Sequence, residues 1–119
     1  MKILILDDDD MFLDILAEDL ESFGHTVGVA ESLEEASALL LKESWDALSF
    51  DLRLGDGISL DLIGEAFKMG NPPKAALVVT SHHDDILLNN CNVLGTCSYV
   101  VKPVGAQTIL VRLSQLIGS

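Results

Sequence analysis

Basic residues are scarce in this sequence. Seven Lys and Arg stand against nineteen Asp and Glu, which leaves a net charge of −12 at pH 7. Binding to nucleic-acid phosphates or to an anionic membrane surface requires clustered Lys and Arg. The composition therefore excludes direct contact with either partner, and any control of transcription would need a separate module to touch the DNA.

Cysteine and long apolar runs are also scarce. Cys91 and Cys97 are the two cysteines, too few for a disulfide framework or a structural zinc site, so we expect buried, neutral thiols in a reducing compartment. The longest apolar runs are far short of a membrane span, and the first residues lack the apolar core of a secretory signal. We expect a cytoplasmic protein.

The residues that are present predict one globular domain over 1–119, since hydrophobic residues make up 49% of the chain and no linker or repeat interrupts it. Short apolar runs that end in polar residues predict buried strands. They fall at 3–6, 26–29, 47–50, 75–79 and 98–101.

Apolar residues at helical spacing separate these strands. In the first predicted helix the stripe consists of Phe12, Ile15, Leu16, Leu20 and Phe23. Gly24 ends that helix, and Ser32 with Glu35 forms a capping box for the next one. Further helices are predicted over 60–67, over 83–94 and over 109–117, just before Gly118.

Five strands alternating with five helices predict an α/β fold with a parallel sheet and helices on both faces. The expected architecture is a flavodoxin-like, doubly wound (βα)5 sheet with strand order 2-1-3-4-5. Its ligand crevice lies at the carboxyl ends of strands one and three.

Polar and charged side chains that could bind a ligand or take part in catalysis follow four of the predicted strands. These residues are Asp7, Asp8, Asp51, Thr80 and Lys102. Because the carboxyl ends of parallel strands share one edge, we expect these side chains to converge there. Carboxylates that crowd together need a cation, and an all-oxygen set suits Mg²⁺. A carboxylate, a metal, an ammonium and a hydroxyl are the parts of a phosphoryl transfer to aspartate, with Asp51 as the nucleophile.

With these motifs in this order, the whole chain resembles the receiver (CheY-like) domain of two-component response regulators. The resemblance rests on the segments 3–8 and 51–54, on Gly57, and on the segments 80–81 and 99–103.

The resemblance implies that Asp51 takes a phosphoryl group from a phosphohistidine of a sensor kinase or phosphotransfer protein. Mg²⁺ would bind Asp7, Asp8, Asp51 and the backbone carbonyl of Arg53. Thr80 and Lys102 would hold phosphoryl oxygens, and Thr80 and Tyr99 would act as a switch. The Lys102–Pro103 peptide bond would be cis.

Three positions depart from the family pattern. Gly55 stands where the family usually has proline, Ser81 where it has a small residue such as alanine, and Gly95-Thr96-Cys97 where it often has Gly-Ala before the last strand. None removes a part of the predicted site. They bear on the dephosphorylation rate and on the switch, as do Arg53 and His82 beside the site.

Other polar residues have structural interpretations. We expect Asp9 or Asp10 to cap the first helix, Asp46 to make a turn or cap contact, Asp56 to belong to the Gly-Asp-Gly turn after the third strand, and Trp45 to cover the start of that strand. The run 82–85 (His-His-Asp-Asp) looks like a metal cluster, but adjacent helical residues point apart, so capping of a helix is the better interpretation.

Three functions remain open at this stage. The first is a phosphorylation-controlled signalling switch, not an enzyme beyond its own phosphorylation and dephosphorylation. It would act on a downstream protein or a fused output domain, or as a homodimer, through the face formed by the predicted helix 83–94, strand 98–101 and helix 109–117. The second is a small phosphatase, which would normally need a cap over its substrate. The third is a receiver-like module that no longer takes phosphate.

Overall fold

A computed structural model describes residues 1–81 and 89–118 of the chain. Five parallel strands form one sheet in the order β2-β1-β3-β6-β7, and two short strands form a separate hairpin. The strands are β1 (Lys2–Leu6), β2 (Thr26–Ala30), β3 (Ala47–Asp51), β4 (Arg53–Leu54), β5 (Gly57–Ile58), β6 (Ala75–Thr80) and β7 (Cys97–Val101). The predicted fold class and strand order are confirmed, since the five strands of this sheet are the five predicted ones.

The described residues also form four α-helices and one 3-10 helix. They are α1 (Asp10–Ser22), α2 (Leu33–Lys42), α3 (Leu60–Phe67), the 3-10 helix Cys91–Val93 and α4 (Ala106–Gly118). The first half of the predicted helix 83–94 lies outside the described residues, and its second half, 89–94, contains the 3-10 helix. Within 1–81 and 89–118, no helix has the length and apolar character that a membrane crossing requires.

The sheet is covered on both faces, which explains why its central strands are apolar without a break. Alternate residues of each strand enter two different clusters. Leu4, Leu48 and Val78 pack towards α2 and α3, whereas Ile5 and Leu77 pack towards α1 and α4. Each strand end is thereby held between two layers of helix, and this fixes the positions of the polar residues that follow.

Helix α1 buries a different stripe from the predicted one. Ile15 and Phe23 are exposed at 57% and 58%, and Leu13 and Ala17 are buried instead, beside Leu16 and Leu20. The predicted stripe was wrong at these positions because residues 13, 16, 17 and 20 form a narrower set at i, i+3, i+4 and i+7, which fits the groove over the sheet.

The helix ends follow the predicted signals with one difference. Asp9 caps α1 by accepting hydrogen bonds from the N–H groups of Met11 and Phe12, and Gly24 follows the helix with a φ of 94°. Ser32 caps α2 by accepting from the N–H of Glu35. The Glu35 carboxylate, however, accepts from the N–H of Glu31 and not from that of Ser32, so the capping box reaches one residue further back.

Trp45 is a packing residue at the start of β3. Its indole Nε1 donates a hydrogen bond to the carbonyl of Leu39 at 3.0 Å, and its ring lies against Gly28 of the edge strand β2. A Cβ at residue 28 would come within 2.2 Å of the ring atom Cη2. Residue 28 therefore has to be glycine because the indole occupies the space of a side chain.

We expect Gly28→Ala to destabilise the protein by about 1–3 kcal/mol, because the buried indole must shift to admit the methyl group. Urea unfolding followed by Trp45 fluorescence measures this directly. Gly70→Ala is the matched control, since nothing lies within 4 Å of a Cβ at that position. Equal free energies of unfolding for the two variants would contradict the packing account.

Candidate functional site

Side chains from three strand ends meet at the carboxyl edge of the sheet. Asp7 follows β1, Asp51 ends β3, and Lys102 follows β7. The Nζ of Lys102 lies 2.6 Å from Oδ2 of Asp7 and 3.8 Å from Oδ2 of Asp51. Residues separated by 95 positions in the sequence are thus in direct contact, as expected for residues at one edge of a parallel sheet.

Three carboxylates crowd into this site. One oxygen from each of Asp7, Asp8 and Asp51 lies within 4.8 Å of the others. Asp7 is 2% exposed and Asp51 is 9% exposed, whereas Asp8 faces solvent. Oxygen ligands from a few carboxylates with an open side suit Mg²⁺, which keeps several of its waters. The donor set therefore fits the metal predicted from the sequence.

Asp51 sits in an environment that disfavours its charge. Burial and the neighbouring Asp7 carboxylate raise the pKa of Asp51, and the Lys102 ammonium opposes them in part. Like charges this close need a compensating cation to remain ionised together. Lys102 offsets only part of the repulsion between Asp51 and its neighbouring carboxylates, and a divalent ion beside Asp51 would reduce the rest.

Lys102 is held on several sides. Its Nζ lies 4.4 Å from the centre of the Phe12 ring, within the range of a cation–π contact. Its backbone N–H donates to the carbonyl of Thr80 at 2.7 Å, and its peptide bond to Pro103 is cis. The ammonium is therefore directed towards the acids rather than into solvent.

Thr80 and Tyr99 lie on neighbouring strands. Thr80 ends β6, is 2% exposed and pairs in register with Val101, while Tyr99 pairs with Val78 and is half-buried. Arg112 of α4 donates from Nη2 to the hydroxyl of Ser98 and to the carbonyl of Tyr99, at 2.8 and 3.3 Å. The switch roles of Thr80 and Tyr99 stay predictions, as does metal binding by the carbonyl of Arg53, a residue of β4 with an exposed side chain.

The remaining acids have structural partners. Asp9 caps α1, and Asp46 accepts a hydrogen bond from the N–H of Lys2 at 2.8 Å. Asp56 accepts from the N–H groups of Leu33 and Glu34 at 3.1 and 3.2 Å. Asp9 and Asp46 thus make the expected contacts and Asp56 lies in the expected turn, but its bonds to α2 were not predicted. Residues 82–85, including His82, lie outside the described part of the chain.

Cys91 and Cys97 are free and buried, as expected. Contact with the Cys91 thiol and burial both raise the pKa of Cys97, so this thiol stays neutral. Gly95, two residues earlier, has a φ of 145°, and a Cβ there would lie 2.9 Å from the Phe67 ring. Gly95 thus matches the glycine of the family pattern, and both its backbone conformation and the nearby ring require glycine there. The departure before β7 lies in the residues that follow it.

Two features of the site were missed from the sequence. The stacking of Phe12 on Lys102 joins residues 90 positions apart, and the bond from Asp56 to α2 joins a turn to the start of a helix. The sequence offered no signal for the first. The second could have been suspected, because an acid in a tight turn is a common partner for the free N–H groups of a helix start.

The three acids and the lysine thus lie at the carboxyl edge of a doubly wound parallel sheet, where folds of this kind bind their ligands. Comparison with known proteins identifies the family. The family described as the response regulator receiver domain matches residues 3–114. The chain belongs to this family of signalling modules.

Individual relatives agree with the family. The chain is 37% identical over 114 residues to the acid tolerance regulatory protein ActR of Sinorhizobium medicae, covering 96% of this chain and 58% of ActR. It therefore spans little more than half of that relative. A response regulator from Burkholderia pseudomallei, solved with a phosphorylated aspartic acid, calcium ion and citrate, superposes with a TM-score of 0.86 at 26% identity, over 98% of this chain and 68% of that one.

A two-component response regulator from Clostridium difficile has the same fold. It superposes with a TM-score of 0.87 at 22% identity, over 99% of this chain and 96% of that one.

The raised pKa of Asp51 predicts how stability depends on pH in the absence of metal. The folded state binds this proton more tightly than the unfolded state, so Asp51 favours folding at low pH and this benefit is lost as the pH rises through the folded pKa. Asp51→Asn should therefore be more stable than the wild type at pH 7 in EDTA. The difference should shrink as the pH falls towards about 4, the ordinary pKa of aspartate.

Urea unfolding between pH 4 and 8 measures this difference. Glu18→Gln, which removes an exposed acid of α1, is the control and should show no such trend. A stability gain in Asp51→Asn that stays constant across this range would contradict the assignment of the effect to the Asp51 charge.

Proposed function

We propose that this chain is a phosphorylation-controlled receiver in which Asp51 accepts a phosphoryl group from a phosphohistidine of a sensor kinase or phosphotransfer protein. The observation that carries the proposal is the contact of Lys102 with Asp7 and its approach to within 3.8 Å of Asp51, at an edge where three carboxylates crowd together. Membership of the receiver family and the phosphorylated aspartate of the Burkholderia pseudomallei relative support it.

In the proposed reaction, an Asp51 oxygen attacks phosphorus in line with the P–N bond of the phosphohistidine. The new O–P bond forms as the P–N bond breaks, and its electron pair goes to the imidazole nitrogen. Lys102 is already directed at Asp51 and would stabilise the charge that gathers on the phosphoryl oxygens. Thr80 would donate its hydroxyl to one of these oxygens.

Mg²⁺ would be held by Asp7, Asp8, Asp51 and the carbonyl of Arg53. When bound, it neutralises the charge on the acids and on the incoming phosphoryl group. Asp7 also binds Lys102 and accepts a hydrogen bond from the N–H of Asp9 at 2.9 Å. These two contacts would orient the Asp7 carboxylate before an ion binds. Ion binding would then not need to order this side chain.

The output would be carried by Thr80 and Tyr99. Movement of Thr80 towards the phosphoryl group would free space for Tyr99 to turn inward, and this would change the face around β7 and α4 that partners read. A downstream protein, a fused output domain or a second copy of the chain could bind there. ActR, named as a regulatory protein, is longer than this chain, which supports the fused arrangement.

Incubation with acetyl phosphate and Mg²⁺, followed by intact-mass measurement, tests the proposal. The wild type and Glu18→Gln should each gain one phosphoryl group, and Asp51→Asn should gain none. An unmodified wild type, or an equal adduct on Asp51→Asn, would refute the phosphoacceptor role.

Mg²⁺ should also stabilise the fold by mass action. At an ion concentration ten times the dissociation constant, the free energy of unfolding should rise by about 1.4 kcal/mol, and EDTA should reverse the gain. Asp8→Asn should lose most of this gain because Asp8 supplies one of the three clustered carboxylates. A full gain in Asp8→Asn would argue against this ligand set.

A further inference from the structure

The turn between β4 and β5 is bonded to a different part of the fold. Asp56 lies in this turn, and its carboxylate accepts hydrogen bonds from Leu33 and Glu34, the first two residues of α2. These N–H groups also lower the pKa of Asp56, with the bond from Leu33 as the largest cause. The carboxylate is thus charged where a helix start favours a negative group.

A second contact joins the same two segments. Gly57 follows Asp56 with a φ of 142°, a conformation that favours glycine, and a Cβ at this position would lie 3.1 Å from Cδ1 of Leu33. The hairpin backbone therefore packs directly on the first residue of α2. The turn is therefore held against the start of α2 in two ways, by the hydrogen bonds to Asp56 and by the packing of Gly57 on Leu33.

The hairpin needs this external support. Only two residue pairs define it, Arg53 with Ile58 and Leu54 with Gly57. A ribbon this short has no stability of its own in water. Its position therefore depends on what it packs against, and the Asp56 contact lies at its tip.

The position of the hairpin matters because β4 begins two residues after Asp51 and contains Arg53. We propose that Asp56 is a positioning residue for the metal site: by binding the start of α2 it fixes the hairpin and, with it, the Arg53 carbonyl that would complete the Mg²⁺ ligands. This inference rests on the proposed function.

Isothermal titration of Mg²⁺ into the wild type, Asp56→Ala, Asp56→Asn and Ser32→Ala tests the proposal. Ser32→Ala is the matched control because it removes the other side-chain cap of α2, the bond from the Glu35 N–H at 3.1 Å, without touching the hairpin. Both alanine variants should lower the melting temperature through the weakened helix start.

Only Asp56→Ala should also weaken Mg²⁺ binding, by about tenfold, the effect typical of losing a residue that orients a ligand. Asp56→Asn keeps an acceptor oxygen and should fall between Asp56→Ala and the wild type. In metal-free protein, amide hydrogen exchange in the hairpin should speed up in Asp56→Ala and stay unchanged in Ser32→Ala.

Unchanged Mg²⁺ affinity in Asp56→Ala would overturn the inference while leaving the proposed function intact. An equal loss in Ser32→Ala would also overturn it, because the effect would then come from α2 and not from the hairpin. A wild type that binds no Mg²⁺ would instead refute the proposed metal site, and this inference with it.

Discussion

The crowding of carboxylates at one edge of the sheet is the constraint on which the rest of the structure depends. Asp7 and Asp51 end adjacent strands and are nearly buried, so neither can move away from the other. Lys102 offsets their charge from β7, and the order of the sheet places β6 between it and the acids. A long side chain is needed to cross that distance, and that of Lys102 reaches Oδ2 of Asp7 at 2.6 Å. Removing either partner of such a pair leaves an uncompensated charge in a poorly hydrated site.

The hydrophobic core on both faces of the sheet fixes the positions of the strands that carry these charged residues. Helices on both faces pack against β1, β3 and β6, so the core fixes where the backbone of each strand ends. The loops are less constrained by the sheet and use specific contacts instead. Asp9 caps α1, Phe12 covers the ammonium of Lys102, and Asp56 binds the start of α2. Because the acids and the lysine already lie close together, a bound cation or phosphoryl group would first change the balance of charge at this edge.

The strands and the placement of Asp7, Asp51 and Lys102 at their ends could be predicted because they depend on local signals. A run such as 47–50 is apolar throughout, and Asp51 marks its end, so both the strand and the position of the acid follow from one pattern. The buried face of α1 could not be fixed in this way. Leu13, Ile15 and Phe23 are all apolar, and only packing against the sheet decides that Leu13 is buried while the other two are exposed. Several faces of α1 are similarly apolar in the sequence, so packing against the sheet determines which of them is buried.

The hairpin was missed for a related reason. Strands of two residues are too short to show a period, so the segment after Asp51 looked like a simple glycine turn. The bond from Asp56 to α2 joins residues more than twenty positions apart and depends on the turn and the helix start meeting in space. Sequence patterns describe neighbours along a chain, whereas this contact exists only once the sheet has brought separate loops together.

A crystal structure grown with Mg²⁺ and beryllofluoride, a mimic of the phosphoryl group, tests the central claim most directly. We expect beryllium bonded to an Asp51 oxygen, Mg²⁺ against Asp7, Asp8 and the Arg53 carbonyl, and the Lys102 ammonium on a fluoride. An unmodified Asp51 with Lys102 still bound to Asp7, or a metal seated away from these acids, would contradict it.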